Sequence, residues 1–272
     1  MIEDMISVVL STYNRGHYLD RSLRCYADAH WTAPLELVII DDGSTDDTDQ
    51  VVARWASELD ITYIKLYKRL DFWRDCAATI NRGIRAARGE LVIATHPEVM
   101  PGRESLRALW EARAEQAYLA CKVYYLTPAD QRQLDTVDWR GRGPIAARDL
   151  PDFYERPSAE LRGDDAYSHR ATEAHRSWDS WVFGGLTRAT WRWFGGLSEF
   201  TTWGSVDVDF LARRRALGMP TKTMLEPQTF VVHQNHDVLD RPTDVLTPRD
   251  MQACLASLSP YPTPESARKD YI

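Results

Sequence analysis

Residues 37–40, Leu-Val-Ile-Ile, run directly into Asp41-Asp42-Gly43-Ser44-Thr45-Asp46-Asp47. Four consecutive large apolar side chains without alternation suit a strand buried on both faces, and Gly43 closes that strand with a turn. Ser44 with Asp47 three residues later makes a capping-box pattern, and Val51, Val52, Trp55 and Leu59 continue it at helical spacing. The order strand, acidic turn, helix points to an open α/β sheet. It also sets Asp41 and Asp42 at the carboxyl end of a strand, where such sheets hold ligands. A solvated turn with an N-cap would use the same residues.

The rest of the chain repeats this unit. Residues 6–10 form a first strand, left through Ser11-Thr12-Tyr13-Asn14-Arg15-Gly16 into a helix whose inner face carries Leu19, Leu23, Tyr26 and Ala27. Residues 61–66 read as a third strand, 73–88 as a helix with Cys76, Ala77, Ile80 and Ile84 inward, and 91–94 as a fourth strand. An amphipathic helix is expected over 103–117 and a fifth strand over 118–126. From 127 to 176 periodicity is lost over a span too long for an idle loop, so an irregular insertion is expected there, either a lid over a site or a disordered segment. Residues 221–225 and 229–232 supply further extended segments ending at His233, and 237–272 reads as a tail with one plausible helix.

Composition narrows the function classes. A length of 272 residues suits one α/β domain with an elaboration, and 44% hydrophobic with 27% charged residues is ordinary for a globular chain. The net charge of −7 supplies no diffuse basic field for nucleic acid or anionic membrane. The dense basic run Arg213-Arg214-Arg215 reads as a solvated helix face. Cys25, Cys76, Cys121 and Cys254 are widely spaced without metal-finger or redox pairs, which suggests reduced thiols and a cytoplasmic setting. No segment approaches membrane-spanning length, and the N-terminus lacks the basic region of a signal peptide.

Taken together, Ser7-Val8-Val9-Leu10-Ser11-Thr12-Tyr13-Asn14 followed by Asp41-Asp42-Gly43-Ser44 resembles the nucleotide-binding half of the family 2 glycosyltransferases, which have the GT-A fold. Later segments extend the resemblance to about residues 5–236. They include Asn81-Arg82-Gly83, Gly89-Glu90, the Trp191-Arg192-Trp193-Phe194-Gly195-Gly196-Leu197 run, and Trp203-Gly204-Ser205-Val206-Asp207. The resemblance implies a GT-A-like α/β domain over residues 1–236, a mostly parallel sheet with helices on both faces, nucleotide half first and acceptor half second. It implies inverting transfer of a sugar from a nucleoside diphosphate, most commonly UDP, to a hydroxyl on a glycan, glycolipid, protein or small molecule.

Residue by residue, the resemblance implies nucleotide contacts from Thr12, Tyr13, Asn14, Arg15, Asp41 and Asp42. Asn14 serves a turn equally well. The glycine usual before the Asn-x-Gly helix is replaced by Asp75 with Arg74 beside it, and either could approach the donor. Acceptor contacts fall on Trp178, Asp179, Trp203 and Gly204. Family members place an Asp-x-Asp motif after the fourth strand, where this chain has His96-Pro97-Glu98. That is either a proline-fixed turn or a cation site of mixed nitrogen and oxygen ligands, suited to manganese better than magnesium. His233 would complete the cation site, with His236 as competitor. Val206 replaces a usual Glu, while Asp207 keeps the Asp that acts as general base in family members. In the first turn of a helix, Asp207 could also serve the helix dipole. Asp209 is expected to face solvent from the same helix. The altered metal motif also fits a catalytically degenerate binding or scaffold protein of the same fold.

Overall fold

The structure is a computed structural model, described for residues 4–29, 31–66, 76–121, 123–126, 128–139, 182–199, 206–224 and 229–236. A seven-stranded sheet in the order β3-β2-β1-β4-β8-β6-β9 forms its centre. Strands β1 (Ile6–Thr12), β2 (Leu35–Asp41), β3 (Asp60–Lys65) and β4 (Leu91–Thr95) pair in parallel. β8 (Phe183–Thr187) runs antiparallel between β4 and β6 (Tyr118–Cys121), and β9 (Thr221–Met224) lies parallel to β6.

Side-chain alternation decides which helix covers which face. Ile6, Val8 and Leu10 of β1 pack with Leu19, Leu23 and Tyr26 of α1 (Gly16–Asp28) and with Val51, Val52 and Trp55 of α2 (Thr48–Trp55). Leu106 and Leu109 of α4 (Ser105–Glu111) join the same layer. Val9 points the other way, into a cluster with Val38, Ile40 and the inner face of α3 (Cys76–Ala86), Ala77, Ile80 and Ile84. That second layer continues through Trp191 and Phe194 of α6 (Arg188–Phe194) and Phe210 of α7 (Val206–Ala216). Each large apolar side chain so buried contributes roughly 1.5–3 kcal/mol.

Several expectations change. The span 118–126 is not one strand: β6 ends at Cys121, and β7 (Val123–Tyr125) leaves the main sheet for a second, three-stranded one ordered β5-β10-β7, with β5 (Val99–Pro101) and β10 (Val231–His233). The helix expected over 103–117 is only α4, and Gln116 then takes a positive φ of 53° on the way to β6. The insertion begins not irregularly but with α5 (Pro128–Leu134), whose Leu134 is buried with Trp139 against Met100, Phe230 and Val232 of the small sheet. Residues 140–176 of that span, and the tail 237–272, lie outside the described residues.

The basic run is not a solvated face either, because Arg213 and Arg214 are buried. Arg213 pairs with Asp209 (Nε to Oδ2, 2.9 Å), donates to the carbonyls of Phe194 (3.4 Å) and Gly196, and lies over the Phe194 ring. Arg214 donates to the Met219 carbonyl at 3.0 Å. Both serve chain ends whose carbonyls have no helical partner. Arg215 alone of the three is exposed. Among the described residues Cys25, Cys76 and Cys121 form no disulfide, and no helix is long and apolar enough to cross a membrane.

Candidate active site

The carboxyl ends of β1 and β2 are tied by a clasp between their loops. Asn14, at φ 50°, accepts from the Thr45 backbone N–H through Oδ1 (2.8 Å) and donates its own N–H to Ser44 Oγ (2.9 Å). The first amide of α1, Gly16 N–H, donates to Asp46 Oδ2 at 2.9 Å, so a carboxylate from the second loop caps the first helix. Ser44 and Asp47 therefore do not form the expected capping box. Asp46 Oδ1 accepts from Thr48 N–H and Oγ1–H, α2 starts at Thr48, and Asp47 makes no side-chain cap bond. Much of the acidic motif thus builds the loop pair itself, and Asn14 acts within the clasp.

Asp41 and Asp42 sit where expected, at the end of β2, and both are buried. Asp41 Oδ1 accepts from the Ser44 N–H (2.7 Å) and Oδ2 from the Tyr63 hydroxyl (2.5 Å). The Asp42 N–H donates to the Thr12 carbonyl at 2.8 Å, joining the two strand ends. Thr12 is buried, and its Oγ1 has no hydrogen-bond partner among the described residues. A buried hydroxyl so placed costs about 1–3 kcal/mol unless something satisfies it, which marks the end of β1 as a place where a polar ligand group gains. Tyr13 and Arg15 are half-buried in the loop that follows.

A second group converges from the small sheet. In the β10–β5 register His233 faces Val99, the residue after Glu98, and the Gln234 N–H donates to the Glu98 carbonyl at 3.0 Å. One ligand-type atom from each of Glu98, His233 and His236 lies within 4.8 Å of the others. Glu98 Oε1 is 3.5 Å from His236 Nε2 and 4.0 Å from His233 Nε2. His236, weighed only as a competitor to His233, joins it. His96 stands outside this set of three, though near enough to act on Glu98 electrostatically. Proline at 97 and the turn in which Val99 N–H bonds the His96 carbonyl carry the chain past it.

The electrostatics of the trio follow from burial and contact. Burial lowers the His233 pKa to about 4 despite the pull of Glu98, so this imidazole is neutral at pH 7. Its Nδ1 faces the Gln234 carbonyl at 2.9 Å; with Nδ1–H donating, the Nε2 lone pair is directed away as a ligand. Burial would raise the Glu98 carboxyl, but the His236 hydrogen bond and the nearby histidine rings hold it well below the ordinary carboxylate range. Arg15 Nη2 lies 3.3 Å from His236 Nδ1. A guanidinium can only donate, so Nδ1 is the acceptor and the ring proton faces Glu98 from Nε2. Two histidines and one carboxylate, all side chains that bind divalent metals, meet here beside a loop at the end of β1. This donor set fits a divalent cation of borderline softness, provided His236 shifts its proton.

Asp207 is exposed in the first turn of α7 and Asp209 in the same turn is buried. Asp209 therefore does not face solvent as expected; its Oδ2 holds Arg213, and its Oδ1 has no partner among the described residues. Of the remaining expected site residues, Arg74, Asp75, Trp178, Asp179, Trp203 and Gly204 lie outside the described residues. The residues sequence reasoning passed over are Gln234 and Asn235, whose only signal is their position between two histidines.

Comparison with known proteins bears on the fold and the family. The structure is similar to TarS 1-349 of S. aureus in complex with UDP-GlcNAc, with a TM-score of 0.61 at 17% identity over 92% of this chain and 64% of that one. It is also similar to the mannosyltransferase PcManGT of Pyrobaculum calidifontis in complex with GDP-Man and Mn2+, with a TM-score of 0.52 at 20% identity over 86% and 58% of the two chains. Both likenesses show the GT-A fold. In sequence the chain is 29% identical over 225 residues to validoxylamine A glucosyltransferase of Streptomyces hygroscopicus subsp. limoneus, covering 79% of this chain and 49% of that protein. It is 31% identical over 87 residues to chondroitin synthase of Pasteurella multocida (strain Pm70), covering 32% of this chain and 9% of that one. The chain thus spans about half the length of the validoxylamine A glucosyltransferases it matches. The family model described as Glycosyl transferase family 2 matches residues 7–155, more than half of the chain, and takes in both the β1 and the β2 loops; the chain belongs to that family.

Proposed function

We propose that the protein transfers a glycosyl unit from a nucleoside-diphosphate sugar, most simply a UDP-sugar, to an acceptor hydroxyl with inversion at the sugar C1. The observation that carries this reading is the meeting of Glu98, His233 and His236 beside the β1 loop, next to the strand ends where the buried Thr12 hydroxyl has no partner among the described residues. The base and ribose belong against Thr12, Tyr13 and the Asp41–Asp42 turn. Glu98, His233 and His236 would hold the divalent cation, which neutralises charge on the departing diphosphate when bound. Support for a manganese-type ion comes from the nitrogen-rich donor set. Arg15, now on His236 Nδ1, is released when that nitrogen takes the ring proton, and its guanidinium then adds a second positive group for the phosphates.

Asp207 accepts the proton from the attacking hydroxyl. Its exposure in the first turn of α7 leaves it reachable by a diffusing acceptor. The test is a thermal-shift panel of nucleoside diphosphates and their sugars, with and without manganese, followed by a transfer assay with the best donor. A ligand at 100 times its Kd adds about 2.7 kcal/mol, well within reach of such a panel. Glu98→Ala should abolish the manganese-dependent part of diphosphate stabilisation and leave nucleoside monophosphate binding unchanged. Asp207→Asn should retain donor binding and lose transfer by about 100-fold or more. Transfer at the native rate by Asp207→Asn would remove it as base.

A further inference from the structure

The two residues between His233 and His236 are more than spacers. Gln234 is fully buried; its Oε1 accepts from Arg21 Nη1 of α1 (3.0 Å), its Nε2 donates to the Tyr18 carbonyl (3.2 Å), and its backbone N–H holds the Glu98 carbonyl. Asn235 donates its N–H to Gln131 Oε1 of α5 (2.8 Å) and its Nδ2–H to the Leu126 carbonyl (3.1 Å). Asp135 closes the circuit: its Oδ1 accepts from Arg21 Nη2 (2.7 Å) and from Gln131 Nε2 (3.0 Å). The dipeptide is thus anchored to α1, α5, Glu98 and the Leu126 carbonyl just past β7.

Something must fix the separation of two imidazoles three residues apart on the way out of β10, the short central strand of the small sheet. β10 is only three residues long and ends at His233, so sheet pairing does not reach His236. Backbone freedom at Gln234 and Asn235 would let the second ring wander by ångströms. The bonds from Gln131 and Arg21 remove that freedom.

We propose that Gln131, with Arg21 and Asp135, is a positioning residue that sets the geometry of the histidine pair and thereby the affinity of the Glu98–His233–His236 set for a divalent cation. This rests on the cation reading above, since it deepens the account of the same site. The helix that carries Gln131 follows β7 in the chain and supplies no member of the trio, so α5 serves the cation set from outside it. Partners of this kind change metal affinity by about 10- to 100-fold when removed.

The experiment titrates the full chain with manganese(II) alone, reading free manganese by electron paramagnetic resonance. The variants are Gln131→Leu, which keeps size and removes both amide bonds, Gln131→Glu, which keeps an acceptor for the Asn235 N–H, and Asp135→Ala at a half-exposed position. Gln131→Leu should bind manganese about 10- to 100-fold more weakly, Asp135→Ala several-fold more weakly, and Gln131→Glu within a few-fold of the native protein, all with nucleoside monophosphate binding unchanged. Should Gln131→Leu fail to fold, the Asp135→Ala result decides. Native manganese affinity in Gln131→Leu, or in Asp135→Ala where it decides, overturns the positioning role while leaving the cation site standing. No manganese binding by the native protein, together with no effect of Glu98→Ala, overturns the cation reading and the positioning role with it.

Discussion

At the scale of single residues, the α7 acids carry the lesson. Asp207 and Asp209 are two positions apart in one acidic first turn, and nothing in their spacing tells which is buried. Burial follows from Arg213 one turn later, which needs a carboxylate because its own guanidinium is drawn inward by the Phe194 and Gly196 carbonyls. A basic triplet is ordinarily solvated, so the sequence reading put this arginine outside and Asp209 with it. Removing the charge from one member of a buried pair leaves the other uncompensated, at about 3–5 kcal/mol. Asp209→Asn should therefore lower unfolding free energy by about that amount in a urea titration, whereas Asp207→Asn should leave the midpoint in place. An unshifted midpoint for Asp209→Asn would mean that the ion pair adds nothing net to stability.

Among elements, those with continuous apolar runs were legible: over the described residues β1, β2, β4 and the inner faces of α1 and α3 fall within a residue or two of expectation, because burial on one or both faces writes itself into the pattern. What periodicity could not supply was the fate of an element once formed. The 118–126 run keeps the same composition across residue 122, where the chain passes from one sheet to another. The start of α2 moved because Asp46 is recruited by the α1 N-terminus, a partner 30 residues away. The Asn-x-Gly of α3 has a similarly non-local meaning. A Cβ at Gly83 would run into Val9 of β1, so glycine lets the helix lie close on the sheet. Asn81 grips both backbone groups of Leu197, accepting from its N–H (2.9 Å) and donating to its carbonyl (2.8 Å), just past the left-handed Gly195 and Gly196. Asn81→Ala would leave two buried backbone groups unpaired at about 1–3 kcal/mol each. It should lower the melting temperature, and no change in it would mean that water replaces the amide.

For the whole molecule, Glu98, His233 and His236 lie where the small sheet meets the loop leaving the large one, so their ionisation bears on the stability of the fold. His233, with a folded pKa of about 4 against 6.5 in the unfolded chain, binds fewer protons when folded across that interval. Stability must then rise with pH from 4 to 6.5 and fall as acid is added, with about 3 kcal/mol at stake from this one ring. Glu98, also held below its ordinary value, adds to the loss at the acid end. His96, His236 and Glu98 are the titrating groups that act on His233. Thermal melts of the metal-free protein should show this slope, and His233→Asn should flatten it. An equal slope in the variant would assign the acid sensitivity elsewhere.

The placement of β8 has a bearing on how such a chain assembles. Strands β1 to β4 lie within residues 6–95 and pair with one another through short crossovers, so this half of the sheet can close from local contacts as soon as that length of chain exists. β6 is different: its partners in the main sheet, β8 and β9, begin at residues 183 and 221, more than sixty residues later. Until they arrive, Tyr118–Cys121 is an apolar strand with both edges open. Loop-closure entropy delays that pairing, and unpaired edges invite association between chains. The half of the sheet built from β1 to β4 thus has a head start on the half built from β6, β8 and β9 during synthesis. The interval between them is the period in which the open edges of β6 most expose the chain to association.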